Sequence, residues 1–159
     1  MIFLTVGTQF PFDRLLRAID AAIDGGTAVE EIYAQIGESR YVSRNFKGIA
    51  SLPKEEFDSY LANASAVIGH AGMGTITAAL EHNKPLLVMP RLKRFGEVVN
   101  DHQVGIAQRF EQAGLLLAAY NADEVAACLT KLKMFVPKKR ECAAEAVVER
   151  ISRFLQEIK

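Results

Sequence analysis

The chain has 159 residues, half of them apolar and 24% charged, with 19 Lys plus Arg balanced by 19 Asp plus Glu. That balance excludes a disordered or collagen-like chain, and a domain of this size buries ~70% of its unfolded surface without staples. A formal net charge of zero leaves no basic surplus for sequence-blind nucleic-acid binding, so no nucleic-acid partner is expected. Cys128 and Cys142 lie far apart in helix-like surroundings and make neither a disulfide framework nor a zinc site, which fits a reducing cytoplasm. The MIFLTVG start has no basic n-region, and no apolar run reaches the ~18 residues of a membrane span. The expectation is one soluble, cytoplasmic domain over residues 1–159.

Short apolar runs alternate with helical ones. Residues 2–6 read as a buried strand ended by Gly7. Leu15, Leu16, Ile19 and Ile23 recur at helical spacing over residues 12–23, and Gly25-Gly26 stops that helix. Residues 32–36 are a second strand closed by Gly37, and 49–52 a third, ended by Pro53. Pro53, with Glu55 and Glu56 behind it, opens a helix to about Asn63. Residues 66–69 form a strand, and after GHAGMGT a helix runs from near Thr75 to near Asn83. Residues 85–89 are a fully apolar strand closed by Pro90. A helix over 101–113 ends at Gly114, residues 115–118 are the last strand, and helices over 121–133 and about 140–158 finish the chain. Continuous apolar strands separated by helices predict a parallel sheet sandwiched by helices, a Rossmann-like α/β fold that binds ligands at the carboxyl ends of its strands.

Three loops at strand ends hold the unusual residues: Gly7-Thr8-Gln9, the glycine-rich segment 69–75, and the long segment 91–103. Three glycines between a buried strand and a helix let backbone N–H groups approach an anion, and the helix N-terminus adds partial positive charge. The other reading is a tight strand–helix turn whose glycines serve only the backbone. The spacing is not the dinucleotide fingerprint, because Ala71 stands at the second glycine, and Thr75 replaces the lysine of a phosphate-binding loop of NTPases. His70 follows its strand directly and suits either a structural or a catalytic hydrogen bond. It has no i,i+4 partner in His82 or His102, so no metal site is expected. In the third loop, Asp101 and Gln103 either cap the next helix or bind vicinal hydroxyls. Arg91, Lys93 and Arg94 make a basic segment, read either as a solvated run or as a face for anionic lipid or a lipid diphosphate, with Lys138-Lys139-Arg140 as a second cluster.

Three motifs in this order, IFLTVGTQFPFDRLL, IGHAGMGTITAALEHNKPLLVMPR and NDHQ, cover about two-thirds of the chain. Together they resemble the nucleotide-sugar-binding C-terminal half of GT-B glycosyltransferases. The likeness is greatest to the small single-domain subunits of split UDP-sugar transferases. Those include bacterial exopolysaccharide and capsule glycosyltransferase subunits and the catalytic subunit of the dolichol-linked chitobiose-forming N-acetylglucosaminyltransferase. The resemblance implies a metal-independent, inverting transfer of a hexose or hexosamine from a UDP-sugar to a lipid-linked acceptor, with no cofactor. It also implies a membrane-associated partner that holds the acceptor at the inner face of the membrane. By the same resemblance, Gly7 and Thr8 would line the cleft near the diphosphate, and Ala71, Gly72, Gly74 and Thr75 would hold it. Ser51 and Leu52 would meet the uracil with backbone groups, and Asp101 and Gln103 would bind sugar hydroxyls. The ribose glutamate of two-domain relatives is replaced by Ala78, so that ribose recognition either comes from elsewhere, with Glu97 the candidate, or is weaker, while Glu81 sits too far from the loop. His70 and Asp101 are the candidate general bases. A nucleotide-sugar-binding module without turnover is the alternative. The stripe of Val147, Ile151, Phe154, Leu155 and Ile158 would dock the partner, or a second copy in a homodimer.

Overall fold

The computed structural model describes residues 1–138. The helix expected over 140–158, its docking stripe, Lys139-Arg140 and Cys142 lie outside the described residues. No helix among the described residues is long and apolar enough to cross a membrane.

Six parallel strands form one sheet in the order β3-β2-β1-β4-β5-β6. They are β1 (Ile2–Thr5), β2 (Ile32–Gln35), β3 (Lys47–Ile49), β4 (Ala66–His70), β5 (Leu86–Met89) and β6 (Leu117–Ala118). The helices are α1 (Asp13–Asp24), α2 (Lys54–Asn63), α3 (Met73–Glu81), α4 (His102–Gln112) and α5 (Val125–Leu132). The period-2 alternation of the strands divides the core in two. Leu4, Val6, Ile68, Leu87 and Met89 face Leu15, Leu16 and Ile19 of α1 and Val125, Leu129 and Leu132 of α5. Phe3, Val67, Leu86 and Val88 face the other way, against Leu61 of α2, Ile76 and Ala79 of α3 and Ala107 of α4. Helices thus cover both faces, as the continuous apolar strands require.

The order reverses between β1 and β4, which pair in register Ile2 with Ala66 through Thr5 with Gly69. In a doubly wound sheet the loops leaving these two strands splay to opposite faces, and a crevice opens between them.

Two differences from the sequence expectation bear on the site. The third strand lies at Lys47–Ile49, upstream of 49–52, and all three of its residues are exposed. It is an edge strand, held from behind rather than by its own apolar run. Asp20, 1% exposed on α1, accepts hydrogen bonds from Tyr41 Oη at 2.6 Å, Ser43 Oγ at 2.6 Å, and the backbone N–H of Arg44 and Asn45 at 3.0 and 3.1 Å. These anchor the segment leading into β3. Burial alone would raise the carboxyl pKa of Asp20, but the donors from Ser43, Tyr41, Arg44 and Asn45 together hold it far below the usual carboxylate range. The second difference is α3, which starts at Met73 with Gly72 as its N-cap, two residues before Thr75. The glycine segment is therefore half loop and half first helical turn.

Candidate functional site

A cleft of about 450 Å³ lies over the β1/β4 crevice, lined by Thr5, Gly7, Thr8, Gln9, Gln35, Leu52, Lys54, Phe57, His70, Gly74, Thr75 and Arg91. Its floor is built by polar residues that close otherwise apolar strands. Thr5 and Gln35 are register partners at the ends of β1 and β2 and are 1% and 4% exposed. Thr5 Oγ1 accepts from the Gly7 N–H at 3.3 Å, and Gln35 Oε1 accepts from the Leu52 N–H at 3.3 Å. This chain of contacts pins the β1–α1 turn and the β3–α2 loop to the same floor. Phe57 of α2, edge-on to Phe3 at 5.2 Å between ring centroids, forms an aromatic wall at the Leu52 end.

The opposite wall is the β4–α3 turn. His70 closes β4, pairing with Met89, and its ring stands between two glycines. A Cβ on Gly72 would lie 2.2 Å from His70 Nε2, and one on Gly7 3.0 Å from Cε1. Gly7 also carries φ +76, a backbone that favours glycine. At Gly69 a Cβ would meet the Thr5 carbonyl at 2.8 Å and Thr75 Cγ2 at 2.9 Å. Three of the glycines assigned to an anion are therefore required by close packing as well. Gly74 is different, since nothing stands within 4 Å of its notional Cβ and the residue is exposed. No side chain caps α3, and its first intrahelical bond is Ile76 N–H to the Gly72 carbonyl at 3.1 Å. The N–H groups of Met73, Gly74 and Thr75 thus have no helical acceptor, and the dipole of α3 adds to them at this end.

Burial, with the nearby Arg91 charge, lowers the His70 pKa to about 4, and the Thr5 carbonyl only partly opposes them. The imidazole is neutral at pH 7, able to donate or accept a hydrogen bond but a weak base. Its Nδ1 is buried without a partner.

Of the residues assigned from sequence, Gly7, Thr8, Leu52, His70, Gly74 and Thr75 meet in this cleft. Ala71 is fully buried in the core beneath the turn, so only its backbone remains for a ligand. The Leu52 N–H is already given to Gln35, and Ser51 is exposed and outside the cleft lining, because β3 ends two residues earlier. Of these two, only Leu52 lines the cleft.

Three further assigned residues have side chains engaged outside the cleft lining. Gln103 is 5% exposed, and its Oε1 accepts the Arg91 N–H at 3.1 Å. Asp101 is exposed, and its Oδ1 accepts the Lys93 N–H at 2.7 Å. Both side chains tie the loop to itself, and neither lines the cleft. Glu97, 6% exposed, takes a two-pronged contact from Arg14 Nε and Nη2, both at 2.8 Å, and the Leu92 N–H at 2.9 Å. It faces a second, largely apolar cavity of about 640 Å³ beside α1, with Arg14, Arg17 and Phe95. That cavity is larger, but its Arg14 and Glu97 are paired with each other, its Asp13 accepts the Arg40 and Tyr41 N–H groups, and its Arg17 lies over the Tyr41 ring at 4.5 Å. The basic segment also divides: Lys93 and Arg94 are exposed, whereas Arg91 is buried and joins the cleft.

Sequence reasoning passed over Thr5, Gln35, Lys54 and Phe57. The signal for the first two was present, since each is a lone polar residue ending an apolar strand run. Among the described residues no Asp or Glu lines the cleft, and no group of three or more His, Cys, Asp or Glu is placed to hold a metal.

The model of the glycosyltransferase family 28 C-terminal domain matches residues 1–158. UDP-N-acetylglucosamine transferase subunit ALG13 of Homo sapiens is 27% identical over 157 residues, which is 92% of this chain and 13% of that protein. This chain thus spans a small part of the length of that relative. The NMR solution structure of ALG13 superposes with a TM-score of 0.60 at 21% identity, covering 94% of this chain and 93% of that one. MurG of Acinetobacter baumannii superposes with a TM-score of 0.61 at 17% identity, covering 84% and 42%. At these identities the structures share the fold.

Proposed function

We propose a function for this chain on one premise: it belongs to the glycosyltransferase family 28 C-terminal domain family. In our reading it is the donor-binding subunit of a split UDP-sugar glycosyltransferase. It holds a UDP-sugar in the β1/β4 cleft and transfers a hexose or hexosamine to a lipid-linked saccharide, in the synthesis of a surface polysaccharide. A membrane-associated partner supplies the acceptor site, which keeps this subunit at the cytoplasmic face.

The observation that carries the reading is the uncapped N-terminus of α3 opening onto a cleft whose described lining has cations and no carboxylate. Transfer breaks the bond between the anomeric carbon and the β-phosphate oxygen, and the electron pair stays on the departing diphosphate. Fixed N–H dipoles and a helix end stabilise that charge without reorganising, so the reading needs no metal. The acceptor hydroxyl forms the new bond from the opposite face, inverting the anomeric carbon, and gives its proton to a general base. His70 is too weakly basic for that task, and Asp101 is engaged with Lys93 outside the cleft. We therefore assign the base to the partner and give neutral His70 a hydrogen-bonding role toward the phosphates. The aromatic wall of Phe57 beside Leu52 suits the flat face of a uracil.

The test is UDP titration of the chain alone, followed by turnover with and without the co-expressed partner. Gly74→Asp adds a carboxylate in open space at the helix end and should abolish UDP binding without unfolding the chain. Gly72→Asp is the poorer probe, because its side chain would first collide with His70. UDP affinity unchanged in a folded Gly74→Asp chain would refute the assignment, and UDP binding without turnover in the reconstituted pair would point to a binding module.

A further inference from the structure

Arg91 is a buried cation that the carboxylates around it leave uncompensated. The residue is 3% exposed, placed by β5 and Pro90 directly beneath the β1–α1 turn. Its Nη2 donates to the carbonyls of Val6 at 2.6 Å and Phe10 at 2.5 Å, neutral acceptors that orient the guanidinium without balancing its charge. Its Nε is buried with no hydrogen-bond partner among the described residues. The carboxylate that acts on it is Glu97, and both Glu97 oxygens are taken by the Arg14 fork and the Leu92 N–H. Arg14 and Arg91 therefore share one carboxylate, and one positive charge is left over. Leaving a buried ion unpaired costs several kcal/mol, so a fold that retains one gains where a ligand completes the pair. The open side of Arg91 is the cleft, where it stands with Gly7, Thr8, His70, Gly74 and Thr75. Two independent features converge on the same space: the uncapped end of α3 and an unsatisfied guanidinium.

We infer that Arg91 is the fixed counter-charge of the cleft and, with the N-terminus of α3, seats the diphosphate of the donor nucleotide. This rests on the proposed function and specifies how the donor is held. Backbone dipoles alone suit a singly charged phosphate about as well as a diphosphate. A full cation tips the cleft toward the more highly charged ligand and toward the leaving group. It also explains why Gln103 is buried behind the loop, since its Oε1 holds the Arg91 backbone in place.

The experiment titrates the full chain with uridine, UMP and UDP, comparing the natural sequence with Arg91→Gln and Arg91→Lys. Loss of a charge-assisted contact should lower UDP affinity of Arg91→Gln about 10- to 100-fold, with uridine affinity within about twofold. Arg91→Lys, which keeps the charge, should recover most of the UDP binding. Equal losses for uridine and UDP would overturn the inference, because they would mark a structural role through Val6 and Phe10. Should Arg91→Gln fail to fold, nitrogen-15 NMR of the natural chain decides. The Arg91 Nε–H resonance, identified by its loss in Arg91→Lys, should move on adding UDP and stay in place with uridine. UDP bound with that resonance unmoved overturns the inference and spares the functional reading. A natural chain that binds no UDP overturns both.

Discussion

Replacing Gly72 by alanine separates two reasons for the glycine, contact with an anion and contact with His70. The new Cβ would lie 2.2 Å from His70 Nε2 and 2.7 Å from Cδ2. Reaching ordinary contact at 3.4 Å demands a shift of about 1.2 Å between ring and turn. The Gly7 turn stands on the other side of the ring and is itself tied to Thr5, so the shift must be shared between the ring and its surroundings. Forced displacement in a packed site costs typically 1–3 kcal/mol, so Gly72→Ala should lose about 2 kcal/mol. The assay is urea denaturation of four chains: the natural sequence, Gly72→Ala, His70→Ala and the double variant. If the clash is the cause, truncating the ring removes it, and the double variant should cost about 1–2 kcal/mol less than the sum of the singles. UDP titration of the same four chains then shows what the glycine does for the ligand once the clash is relieved. Gly72→Ala as stable as the natural chain, or stability effects that simply add, would refute the sandwich of His70 between Gly7 and Gly72.

Two further outcomes follow from the same site. His70 titrates near 4 in the fold and about 6.5 when unfolded, so the unfolded chain binds the proton more tightly. Its contribution is fully present above pH 6.5 and is lost as pH falls toward 4. Between pH 7.5 and 5 the natural chain should lose about 2 kcal/mol more than His70→Gln by urea denaturation, and parallel pH dependences would refute the burial argument. Gln103→Ala strands the buried Arg91 N–H and should cost about 1–3 kcal/mol of stability while weakening UDP binding through Arg91. A variant that kept both stability and UDP affinity but lost turnover would restore the sugar-binding role that the burial of Gln103 argues against.

The sheet and its coverage were legible in the amino-acid order. Continuous apolar runs such as Leu86–Met89 need helices on both faces, and the spacing of Leu15, Leu16 and Ile19 in α1 places a helix against them. The glycine turn after β4 was legible for the same reason, as a strand end feeding a helix. The bounds of the third strand were not, because all three residues of Lys47–Ile49 are exposed and the segment is held by Asp20 from 27 residues upstream, a contact without local periodicity.

The candidate site divides along the same line. The gathering of Gly7, Thr8, His70, Gly74 and Thr75 at one end of the sheet was legible in the sequence because backbone geometry at a strand end is a local property. The partners of Asp101, Gln103, Glu97 and Arg91 were decided only by tertiary structure. A polar side chain in a loop can reach a ligand, a cap or its own backbone with equal chemistry, and the choice depends on which partner the fold brings within about 3 Å. Here the fold gives Glu97 to Arg14, Gln103 to the Arg91 backbone and Asp101 to Lys93. Arg91, which reads as part of a surface run with Lys93 and Arg94, is turned inward because Val6 and Phe10 present carbonyls to it across 85 and 81 residues. Local sequence determines where a backbone can bend around a ligand, whereas the placement of a buried charge depends on partners distant along the chain.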